Sequence, residues 1–118
     1  RQEYVDLLKA EIEGYKYLKE NKEASAKYLS SLTGQPEAYF ATTIYSNTAP
    51  LFSPEPAKNK VIDFFKILKD EGVLKTDVDI AQHVDSTLFE DAINQILKDH
   101  PDDATYKALY AEFKANNS

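Results

Sequence analysis

Apolar residues recur at three- and four-residue steps along most of the chain, and this period constrains the fold more than any other feature. From Gln2 to Glu20, Val5, Leu8, Ile12, Tyr15 and Leu18 form one stripe while Glu3, Asp6, Lys9, Glu13, Lys16 and Lys19 fill the other side, which predicts an amphipathic helix. Gly14 inside it costs about 1 kcal/mol against alanine, so either that cost is accepted or, the favoured reading, a neighbouring element comes close there. Asn21 is placed to cap a second helix with Ala24, Tyr28, Leu29 and Leu32 on its apolar side, and Gly34 to end it in the left-handed conformation. Pro36 and Glu37 suit the start of a third. Its body, Ala38 to Tyr45, is rich in aromatic and β-branched residues, so a short strand competes with the favoured helix.

Ser46 to Ser53 has no period and reads as a loop. Ser53, Pro54 and Glu55 then open a fourth helix whose stripe of Ala57, Val61, Phe64, Phe65 and Leu68 runs to a glycine cap at Gly72, with Val73 folding back on the last turn. A polar link from Lys75 to Val84 has room for one short helical turn. Asp85 caps a fifth helix bearing Leu88, Phe89, Ala92, Ile93, Ile96 and Leu97, and Pro101 begins a sixth bearing Tyr106, Leu109, Tyr110 and Phe113. The expected fold class is therefore all-α, about six helices, with residues 1–118 forming a single helical unit. Tyr15, Tyr28, Phe64, Phe65, Phe89, Tyr106 and Phe113 are expected in its core.

Composition narrows the function. A formal charge of −6 gives no basic footprint for a phosphate backbone, so no nucleic-acid partner is expected. The chain has no cysteine, hence no thiolate cluster and no thiol nucleophile, and its three glycines are too few and too scattered for a phosphate cradle. Asp77, Asp79 and Asp85 lack the glycine and glutamate of a calcium loop, with Gln82 and Leu88 at those positions, and read as turn and cap residues. His83 and His100 are too far apart for an i, i+4 ligand pair, so no metal site is expected. No serine lies in a Gly-x-Ser-x-Gly elbow, and no catalytic residue, cofactor or enzymatic activity is expected. The residues best suited to a small molecule are Tyr39, Thr42, Thr43, Tyr45 and Asn47, which combine aromatic surface with short hydrogen-bonding groups. The chain contains no methionine and begins at Arg1, which suggests a processed or excised piece.

Several motifs occur in a particular order: Asn21 with Glu23 and Ala26, Gly34 with Pro36 and Glu37, a helix ending in Gly72-Val73-Leu74, then Asp77-Val78-Asp79, then Val84-Asp85-Ser86-Thr87-Leu88 leading to Ala92. In this series the chain resembles the C-terminal part of the nitrate/sulfonate/taurine-type substrate-binding proteins of ABC importers, a group that includes thiamine-precursor binders. The resemblance implies the helical portion of a two-lobed α/β fold whose cleft closes on a sulfonate, nitrate or thiamine-precursor solute and presents it to an ABC permease. It also implies an extracytoplasmic location, in the periplasm or lipid-anchored at the outer face of the cell membrane. Both sheets and the hinge strands of such a fold are missing, so no ligand-contacting position transfers. Helices that cover a sheet elsewhere would leave apolar faces open here, from which self-association or a domain swap is expected. The alternative reading is a free-standing helical protein-interaction module.

Overall fold

In a computed structural model describing residues 1–46 and 52–118, six α-helices follow one another: α1 (Gln2–Glu20), α2 (Lys22–Thr33), α3 (Glu37–Tyr45), α4 (Lys58–Asp70), α5 (Thr87–Asp99) and α6 (Ala104–Asn116), with one 3-10 turn at Ile80–His83. No strand occurs among the described residues. The helical alternative for Ala38 to Tyr45 wins locally: Thr42 and Thr43 donate their hydroxyls to the carbonyls of Ala38 and Tyr39, four residues back, at 3.0 and 2.9 Å. The helices divide into two compact units, one of Arg1–Lys9 with Glu55–Ser118 and one of Ala10–Pro54.

In the first unit the core is built by α5 and α6. Phe89, Ala92, Ile93 and Ile96 of α5 are buried, as are Tyr106, Leu109 and Phe113 of α6 and Val5 of α1. Each fully covered large side chain contributes about 1.5–3 kcal/mol. The rings of Phe89 and Phe113 meet at 5.1 Å between centroids. Asp85 holds the start of α5 by accepting from the Thr87 hydroxyl (2.6 Å) and the Thr87 backbone N–H (2.9 Å), and Arg1 lies across the same turn on Asp91 (2.7 Å) and Thr87 (3.1 Å). The sixth helix starts later than Pro101 suggests. Pro101 and Asp102 form a turn, and Asp103 caps α6 by accepting from the Tyr106 N–H at 3.0 Å.

The fourth helix departs most from expectation. It begins at Lys58, because Glu55 folds away from the helix axis and is buried against the end of α6. Its carboxylate accepts from Asn116 Nδ2 (2.8 Å), Asn117 Nδ2 (2.7 Å) and the Ala57 N–H (2.7 Å), while Asn117 Oδ1 accepts from the Lys58 N–H (2.9 Å). Ala57 makes the turn into α4 in the left-handed region, at φ 47° and ψ 47°. Only one edge of the α4 stripe is covered: Ile62, Phe65 and Leu68 are half-buried, whereas Phe64 is 62% and Ile67 56% exposed. Gly72 caps the helix as expected, at φ 71°, with the Val73 N–H reaching the Leu68 carbonyl at 2.9 Å. Val73 itself points to solvent.

In the second unit Ile12, Ser25, Ala26 and Phe40 are buried. Gly34, at φ 73°, closes α2 with its N–H on the Ser30 carbonyl, and Ser30 Oγ donates to the Gln35 carbonyl (2.7 Å), so α3 folds back onto α2. The small Ala26 faces Ala38 and Ala41 of α3, which permits that approach. The inward side of α2 is consequently not the one its larger residues suggest, and Tyr28 and Leu32 are exposed. Asn21 occupies the position before α2 but makes no side-chain cap there; its amide donates back to the Tyr17 carbonyl at 3.1 Å and finishes α1 instead. Gly14 has no close neighbour: a Cβ built on it would meet nothing within 4 Å.

Candidate functional site

The α2–α3 corner brings together the side chains that carry the best site geometry in the second unit. Because α3 runs back along α2, Glu37, Ala38, Ala41 and Tyr45 face Lys22, Glu23 and Ala26 across a hollow of about 360 Å³. Three alanines make room, and the polar groups are one ammonium, two carboxylates and a phenol. Tyr45 is fixed from both ends: its hydroxyl donates to the Leu18 carbonyl (2.8 Å), and Lys22 Nζ sits 5.4 Å from its ring centroid. Such a hollow can hold a small group by shape, by the tyrosine face and by opposed charges; among its lining residues there is no nucleophile beside a general base.

Of the residues singled out from sequence, Tyr39, Thr42, Thr43 and Tyr45 all lie on α3, and Asn47 lies outside the described residues. Tyr45 alone of them lines the hollow. The Thr42 and Thr43 hydroxyl protons are used on the helix backbone. Tyr39 is exposed, packed edge-on to the buried Phe40 ring at 5.3 Å. Lys22, Glu23, Ala26, Glu37, Ala38 and Ala41 were not selected by residue chemistry; the Gly34–Pro36 corner was the signal that sets α3 beside α2.

Asp79, Asp85 and His100, also noted in the sequence, have local structural surroundings. Asp79 accepts from the Ala81 N–H (3.2 Å) and from Gln82 Nε2 (2.9 Å) at the start of the 3-10 turn. The Thr87 hydroxyl, then the Thr87 N–H, hold the Asp85 carboxyl below the usual aspartate range. His100 ends α5 with its ring 6.0 Å from that of Tyr106. Among the described residues no group of three or more His, Asp or Glu side chains is placed to hold a metal ion, and no helix is long and apolar enough to cross a membrane. No protein family, curated protein or solved structure matches the chain.

Proposed function

We propose that the chain is the C-terminal helical segment of an extracytoplasmic solute-binding protein that delivers a sulfonate, nitrate or thiamine-precursor solute to an ABC importer. The observation that carries this reading is the outward face of the second unit: Tyr28, Leu32 and Tyr39 stand on well-formed helices yet are 63%, 64% and 52% exposed. Large apolar residues left open on helices mark a surface that a further layer can cover, and in this reading the layer is the rest of the same protein. The ordered motif series from Asn21 to Ala92 supports the same parent. In it, solute binding shifts an open-to-closed population that a permease recognises, and no bond is made or broken.

Fractionation of the producing cells, probed with an antibody raised against this chain, tests the reading. The expected signal is a protein much heavier than 13.4 kDa, released with the extracytoplasmic fraction. That protein should gain thermal stability with one member of a panel of small sulfonates, nitrate and pyrimidines. A native product of 13.4 kDa, or a heavier one confined to the cytosol, overturns it; the first result is the one a free-standing helical interaction module predicts.

A further inference from the structure

We infer that α4 carries a self-complementary ridge that docks a second copy of this chain in antiparallel register. Lys60, Phe64, Ile67 and Glu71 follow at steps of four, three and four residues, so at 3.6 residues per turn they lie in one line along the helix. Glu71 keeps helical torsions, φ −79° and ψ 0°, and therefore stays in that line although it caps the helix. All four are exposed. Neither Lys60 nor Glu71 has an ion-pair partner among the described residues.

The order along the ridge is cation, aromatic, aliphatic, anion. Turning a second copy end for end about a two-fold axis midway between Phe64 and Ile67 sets Lys60 against Glu71 of the second copy and Phe64 against its Ile67, and each pair then occurs twice. A parallel arrangement sets Lys60 on Lys60 and Glu71 on Glu71. On one flank, Val61 and the half-buried Leu68 widen the apolar strip, Val61 of one copy falling beside Leu68 of the other. On the opposite flank Asp63 and Asp70 of the two copies face each other, a like-charge contact between exposed side chains that weakens the pairing. A partner of uniform charge satisfies one end of the ridge and opposes the other, whereas a second copy satisfies both. One helix ridge per copy buries less than the ~1,200 Å² of a stable complex, so the dimer is reversible and concentration-dependent. This inference is independent of the transport reading, which rests on the second unit.

Sedimentation velocity on the chain, from about 10 μM to about 1 mM, tests it. The expected result is a shift from 13.4 kDa towards twice that mass. Lys60→Glu and Glu71→Lys should each raise the dissociation constant about tenfold or more, and the double variant should return it to near the wild-type value. Phe64→Ser should abolish the dimer while leaving the circular dichroism spectrum and Tm unchanged, since the side chain is exposed. A chain that is monomeric throughout assigns the ridge to another partner and overturns the inference. So does a double variant no tighter than the single ones, or a dimer, domain-swapped or otherwise, that is indifferent to Phe64→Ser.

Discussion

Replacing Glu55 by alanine removes the anchor that joins the start of α4 to the end of α6. Glu55 is 7% exposed, and its carboxylate accepts at least three hydrogen bonds, of 2.7 to 2.8 Å, from Asn116, Asn117 and the Ala57 backbone. Hydrogen bonds to a charged group are worth about 1.5–3 kcal/mol each, and donors left buried without a partner add to the loss. Asn116, Asn117 and Ala57 are all half-buried, so water can replace part of what is lost. The sum is therefore less than three full bonds, about 2–4 kcal/mol. Ala57 also sits in the left-handed region, which costs a residue with a Cβ about 1–2 kcal/mol and persists because Glu55 holds its N–H. Urea unfolding followed by circular dichroism, on wild type and on Glu55→Ala and Glu55→Gln, measures the effect. Glu55→Gln should fall between the other two, since its amide offers one acceptor oxygen where the carboxylate offers two. A loss below about 1 kcal/mol for Glu55→Ala would refute the reasoning, because three bonds to a buried carboxylate would then be worth no more than one ordinary neutral bond.

Gly14→Ala should stabilise the chain by about 0.8–1 kcal/mol, since the added Cβ meets open space and α1 gains helix propensity; a lower urea midpoint would contradict this. Phe89→Ala should cost about 3–5 kcal/mol and the half-buried Phe65→Ala about half as much, so equal losses in the same unfolding assay would reverse the assignment of the core. The depressed Asp85 carboxyl contributes stability that is present above its ordinary value of 3.8 and is lost as pH falls through its lower folded value. The stability difference between wild type and Asp85→Asn should accordingly narrow as pH is lowered through that range, and a gap that widens instead would reverse the sign.

Helix α5 was legible in the sequence because its stripe meets another broad stripe: Phe89, Ala92, Ile93 and Ile96 face α6, and one period settles both location and burial. The all-helical class followed from the same repetition. The start of α4 was not legible, since Ser53-Pro54-Glu55 is a good local helix opening that loses to bonds formed with residues some sixty positions away. The inward face of α2 was hidden for a different reason. Ser25 and Ala26 are buried, Ala26 being small enough for α3 to come close, while Tyr28 and Leu32, which dominate any hydropathy pattern, stay outside. At the candidate site, residue chemistry located α3 and Tyr45, but the charged half of the lining, Lys22, Glu23 and Glu37, depends on the fold of the corner.

The joint between α1 and α2 has a dynamic consequence. With the Asn21 amide engaged on Tyr17, no side chain caps the first turn of α2, and the foremost amide protons of that helix depend on solvent. Deuterium should enter there ahead of the α2 interior, and limited trypsin should choose Lys22 over lysines deeper in a helix, such as Lys9. Opening at this joint thus begins in the first turn of α2, while the Tyr45 hydroxyl still holds the last turn of α1.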